Sequence, residues 1–181
     1  MEKQLEKWEL LKSEEGIDLK LFKVRYDYLR NPRNDKIIKV IVLDGSDSVN
    51  VVPITKNDGI LMIEQYRFGI GDYTLEIPGG IVDEGEDHQQ AAARELLEET
   101  GYSGKDWQYL GVIPANPVFQ NSSIHHWLVR DIALTGTTDF DDAEDIRFLE
   151  IPIERVRQMI RKGEIRHPHT LNALVLALNV I

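Results

Sequence analysis

The chain of 181 residues contains no cysteine. That absence removes disulfides, thiolate nucleophiles, and zinc or iron–sulfur sites built on sulfur. Basic residues are few beside the acids: 21 Lys and Arg against 31 Asp and Glu leave a formal net charge of −10. Such a surface repels nucleic-acid backbones, so an anionic substrate would need a cation or a local basic patch. Long apolar runs are missing as well. The most apolar stretch, LNALVLALNVI at 171–181, falls well short of the roughly 20 residues that span a bilayer and is broken by Asn172 and Asn179. The amino-terminal MEKQLEKWELL mixes both charges and offers no apolar segment of the kind a secretory signal uses. These absences agree with a cytoplasmic protein that has neither nucleic-acid nor membrane partners.

What is present suits a folded domain: 42% hydrophobic and 29% charged residues, in a chain long enough to bury a full core. No repeat or linker-like stretch interrupts it. The runs KWELLKS, LKLFKVRYDYL and KIIKVIVL are β-prone, and RNPRNDK between the last two reads as a turn, so residues 1–45 are expected to form an antiparallel β arm. SVNVVPIT, GILMIEQYRF, YTLEIPGG, WQYLGVI, IHHWLVRDI and IRFLEIP follow as strands, and IERVRQMIRKG and the apolar carboxyl-terminal run as helices. The expectation is an α+β protein, an α/β/α sandwich with a mixed β-sheet over residues 46–181, preceded by that arm.

Residues 87–100 are predicted to be a helix stopped by Gly101. At 100° per residue, Ala92, Ala93, Leu96 and Leu97 share one arc, while Glu95, Glu98 and Glu99 share the opposite one beside the small Ala91. Acids in the last turns oppose the helix dipole, at roughly 0.3–1 kcal/mol each, and repel one another at i, i+3 and i, i+4. A hard divalent cation between them reverses that penalty, and oxygen-only ligands favour Mg²⁺ or Mn²⁺. A solvated acidic face is the alternative. Arg94, four residues before Glu98, can orient that carboxylate.

The surrounding segment GGIVDEGEDHQQAAARELLEETGY fits G-x5-E-x7-R-E-U-x-E-E-x-G-U, U being bulky and apolar, through Gly80, Glu86, Arg94, Glu95, Leu96, Glu98, Glu99, Gly101 and Tyr102. In this the sequence resembles the Nudix hydrolases. VPIT, EQYRFG, TLEIPGG, AEDI and Pro117, 16 residues after Gly101, resemble the ADP-ribose pyrophosphatase branch of that family. The resemblance implies a Nudix-type sandwich and Mg²⁺-dependent hydrolysis of a nucleoside diphosphate sugar, foremost ADP-ribose to AMP and ribose 5-phosphate. GDP-mannose is an alternative substrate, and a catalytically silent ligand-binding regulator an alternative role. The implied metal ligands are Glu95, Glu98, Glu99 and the Gly79 carbonyl. Catalytic roles fall to Glu98, Arg94, Glu86 and a late acid, Glu144, with Asp142 and Asp145 as competitors. Arg67, Glu76 and Pro117 are implied at the substrate, with a surface ion pair as the alternative for Arg67 and pairing with an arginine for Glu76, and a homodimer completed by the β arm is implied for the assembly. Gly79 departs from the alanine of many relatives.

Trp8, Tyr26 and Tyr28 are candidates for stacking on a base, each with core packing as its ordinary role. His125 and His126, adjacent in a strand, face opposite ways and cannot easily share a metal. His167 and His169 flank Pro168 at a helix start, where capping or surface exposure is expected. No histidine is assigned to catalysis.

Overall fold

The computed structural model describes residues 5–140 and 145–180. The chain divides into two compact units, Met1–Ser46 with Pro114–Ser123, and Asp47–Ile113 with Ile124–Ile181.

In the first unit, β1 (Glu9–Asp18), β2 (Lys23–Arg30) and β3 (Ile37–Asp44) form an antiparallel sheet in that order. The β2–β3 turn closes because the Asn31 side chain accepts from Arg33 N and Asp35 takes φ 55°, a left-handed conformation that aspartate tolerates. Pro114–Ser123 belongs to this unit although the sequence places it in the main domain. Leu43 N donates to Phe119 O at 2.7 Å and Gly45 N to Asn121 Oδ1 at 3.2 Å. Pro117 is exposed in the turn of that segment. Of the stacking candidates, Trp8 is partly exposed, and Tyr26 and Tyr28 lie under the Lys39 ammonium at 4.1 and 5.4 Å.

The second unit carries β4 (Ser48–Pro53), β5 (Gly59–Arg67), β6 (Asp72–Glu76), α1 (His88–Thr100), β7 (Tyr102–Ser103), most of β8 (Asp106–Pro114) and of β9 (Ser123–Arg130), β10 (Ala133–Leu134), β11 (Ile146–Pro152), α2 (Ile153–Lys162) and α3 (Pro168–Ala177). β4 runs parallel to β9 within the order β4-β9-β8, whereas β11-β5-β6 is antiparallel. The sheets are mixed, as expected.

Strand alternation assigns two cores. Val49 and Val51 of β4 and Trp127 and Val129 of β9 pack with Ala91, Ala92 and Leu96 of α1. Val52 and Leu128 point to the other face and pack with Val156 of α2 and Ala173, Leu174 and Ala177 of α3. Helices on both faces make this the expected sandwich. Gly163 stops α2 at φ 68°, and Pro168 opens α3, where its missing N–H costs nothing. No helix among the described residues is long and apolar enough to cross a membrane.

Candidate active site

Helix α1 begins where Asp87 accepts from the backbone N–H of Gln89 and Gln90, and ends where Gly101 turns left-handed at φ 75°. Its buried arc differs from the expected one. Ala93 is exposed and Leu97 is 37% exposed, whereas Glu95 and Glu99 are buried at 9% and 2%. The reason is the turn Pro78–Gly80, which packs against the helix and covers its carboxylate side. There Gly79 N donates to Glu99 Oε2 at 2.9 Å, and Gly80 lies so close to the Glu95 carboxylate that a Cβ would collide with it.

Strand β4 holds this turn from behind. Val51 N donates to Pro78 O and Val49 N to Gly80 O, both at 2.8 Å. The N–H and C=O of one extended residue point to the same side. Gly79 N–H thus faces the carboxylate side of the turn, while the Pro78 and Gly80 carbonyls face β4. A Cβ on Gly79 would collide with the Val49 carbonyl and lie 2.6 Å from Asn50 Nδ2. The departure from alanine at this position is therefore dictated by the close approach of β4.

Glu95, Glu98, Glu99, Gly79, Gly80 and Arg67 are among the residues lining one cleft of about 590 Å³. The carboxylates share it without converging on one point, and among the described residues no three His, Asp or Glu side chains are gathered to hold a metal ion. Arg94 supplies the counter-charge instead. It donates to Glu86 (3.1 and 3.0 Å), Glu95 (2.8 Å), Glu98 (3.0 Å) and the Ile81 carbonyl (3.0 Å). Its guanidinium holds the Glu86 carboxyl below its usual range. The donor set around the cleft, carboxylates and a carbonyl, is all oxygen and fits a hard divalent cation in kind.

Arg67, at the end of β5, makes a two-pronged bond to Glu76 of β6 at 2.7 and 2.6 Å. Glu76 is 1% exposed and underpins Arg67, the pairing with an arginine that was the alternative to substrate contact. Burial pushes its carboxyl up, but the Arg67 bond with its neighbours outweighs this and holds it below the usual range. His167 stands behind, its Nδ1 3.2 Å from Glu76 Oε2 and 3.0 Å from Thr170 Oγ1.

The family model for the NUDIX domain matches residues 46–174. The chain belongs to the Nudix family. Among its relatives, a Bacillus methanolicus protein named methanol dehydrogenase activator is 28% identical over 165 residues, 91% of this chain and 89% of that one. A Bacillus subtilis protein named ADP-ribose pyrophosphatase is 27% identical over 142 residues, 78% of this chain and 77% of that one. A crystal structure titled ADP compounds hydrolase superposes with a TM-score of 0.85 at 24% identity, covering 98% of this chain and 95% of the other.

Within this Nudix fold Glu86, Arg94, Glu95, Glu98 and Glu99 of the G-x5-E-x7-R-E-U-x-E-E-x-G-U motif, the Nudix box, are brought together around Arg94 and the Gly79–Gly80 turn. Glu144 and Asp142 lie outside the described residues. Asp145 accepts from the Tyr73 hydroxyl and lines a separate pocket with Glu64, Tyr73 and Arg147. Four cleft residues, Gln65, Ile81, Asp83 and Asp139, are not among the expected site residues. Gln65 is buried with its carboxamide oxygen unpartnered, and Asp139, whose N–H donates to Glu98 O at 2.9 Å, closes another side. Only the place of Gln65 two residues before Arg67, on the same side of β5, could have flagged it. The histidines also differ from expectation. His167 occupies the N-cap of α3 without a side-chain capping bond and is largely buried, and burial lowers it to about 4. His126 is 0% exposed and likewise pushed down to about 4 by burial, while His125 sits on the other face beside Tyr109 at 2.9 Å.

Proposed function

We propose that this Nudix chain hydrolyses the pyrophosphate of ADP-ribose, giving AMP and ribose 5-phosphate, with Mg²⁺ as its cofactor and Mn²⁺ as a working substitute. The observation that carries the reading is the single cleft onto which Arg67, the Gly79 turn and three glutamates of one helix all open. The names of the relatives, ADP-ribose pyrophosphatase and ADP compounds hydrolase, favour an ADP-linked substrate.

In this mechanism Glu95, Glu98, Glu99 and the Gly79 carbonyl are the groups that would hold the cation. When bound, a divalent ion neutralises the pyrophosphate and eases deprotonation of the attacking water. Arg67 binds phosphate oxygens with a guanidinium whose orientation Glu76 fixes. Arg94 offsets repulsion among the carboxylates and keeps Glu98 aimed into the cleft. Glu144 positions the attacking water or takes its proton. Water adds across the phosphoanhydride, one phosphoryl group receiving its oxygen and the other leaving as a phosphomonoester. A homodimer belongs to this reading, supported by exposed Ile17, Leu21, Ile37 and Ile41 in the first unit, which a second copy could cover. Sedimentation showing only monomer would count against it.

The test is AMP release from ADP-ribose by purified protein with and without Mg²⁺, beside GDP-mannose and dinucleotides. Comparable or faster cleavage of GDP-mannose overturns the substrate assignment. A second reading, regulation of a partner enzyme without catalysis, draws on the relative named an activator. The complete set of box carboxylates favours catalysis over it, and absence of turnover on every nucleotide diphosphate tested would reverse that order.

A further inference from the structure

Behind the cleft, four buried polar atoms on three side chains lack partners: Asn50 Oδ1, both ring nitrogens of His126, and His169 Nδ1. Buried polar groups are almost always bonded, and each exception asks for a cause. Asn50 and His126 are register partners in the parallel β4–β9 ladder, so their side chains stand side by side on one face of the sheet. That face carries α3, and the His169 imidazole lies near enough to His126 to oppose charge on it.

The three groups are chemically complementary to water. Two neutral imidazoles and one carboxamide offer both donors and acceptors, which a water with two to four polar neighbours can satisfy. The cluster carries no carboxylate or thiolate, and among the described residues no three His, Cys, Asp or Glu side chains are gathered for a metal ion.

The cluster is also continuous with the cleft at two places. At one end Asn50 Nδ2 abuts Gly79. At the other, His169 packs edge-on against His167 with ring centroids 5.4 Å apart, His167 reaches Glu76 at 3.2 Å, and Glu76 grips Arg67. Gly79 and Arg67 both line the cleft.

We infer that Asn50, His126 and His169 enclose a buried water site, and that this hydrated seam is a positioning device fixing the Gly79 carbonyl relative to the Arg67 guanidinium. The positioning half rests on the proposed function; the water half does not. Asn50 and His126 are positioning residues, touching neither substrate nor cation.

The experiment joins a crystal structure of the whole protein with kinetics of His126→Leu and Asn50→Leu. Ordered water within about 3.2 Å of Asn50 Oδ1 and a His126 ring nitrogen is expected. Density in which these side chains bond one another directly, with no water, overturns the site. Each variant should lower kcat and raise the Mg²⁺ concentration for half-maximal rate on the order of tenfold, with KM changed less than about twofold. His126→Gln, which can still bond the water, should restore most of the rate. A purely structural role would move Tm and leave metal dependence alone, and both leucine variants keeping wild-type metal dependence overturns positioning. If the wild type cleaves no ADP-linked substrate with Mg²⁺ or Mn²⁺, the proposed function and the positioning role fall together, and the crystallographic water decides the site by itself.

Discussion

Acid should destabilise this protein well before its carboxylates are titrated, and His126 allows the effect to be isolated. In the folded chain burial lowers this histidine from the usual 6.5 to about 4, with His169 and His125 adding to the shift. Unfolded, it binds a proton near 6.5. Between those values the unfolded state holds more protons, so stability falls as pH falls. The contribution is intact above 6.5 and lost by about 4. A drop of about 2.5 pH units at about 1.4 kcal/mol per unit comes to about 3 kcal/mol, a large share of the 5–15 kcal/mol typical of a domain. His167, lowered to about 4 for the same reason, adds to the same window. Urea unfolding at intervals from pH 7.5 to 4.5 measures it. His126→Leu, close in volume, should flatten the dependence between pH 6 and 4.5 by about one proton, roughly 1.4 kcal/mol per pH unit. If the variant and the wild type lose stability in parallel, the depressed proton affinity of His126 is refuted.

Three further outcomes follow from the cleft. Gly79→Ala should cost about 1–3 kcal/mol by overpacking against the Val49 carbonyl and Asn50 and should lower turnover; thermal unfolding and AMP release check both. Arg67→Met should raise KM for ADP-ribose and, by stranding the buried Glu76, lose about 1–3 kcal/mol; adding Glu76→Gln should recover part of the stability but not the KM. Glu98→Gln should reduce turnover at least about a hundredfold while the far-ultraviolet spectrum stays unchanged, and calorimetry with Mg²⁺ should show weakened uptake.

Helix α1 was legible because Gly101 supplies its stop and its spacing set three glutamates near one another, whereas Asp87, read as its first residue, is its cap. The buried arc was not legible. Periodicity assigns apolar residues to the interior, yet Leu97 faces out while Glu99 is covered by a glycine turn 20 positions earlier that donates to it. Nothing within the helix encodes that partner. The strand parity of His125 and His126 was correct, but β9 is covered on both faces, so parity could not say that the His126 side is dry. For Glu76 the sequence leaves substrate contact and pairing with an arginine both open; pairing of β5 with β6 supplies the arginine, Arg67.

The segment 114–123 has a consequence for how this gene could be recombined. Because its backbone bonds to Leu43 and its Asn121 side chain to Gly45, an exchange of the first 46 codons alone would set a foreign sheet against this native segment. Viable chimaeras between such proteins should inherit both stretches from one parent, so crossover points on either side of the ten-residue excursion ought to co-segregate with the amino-terminal sheet.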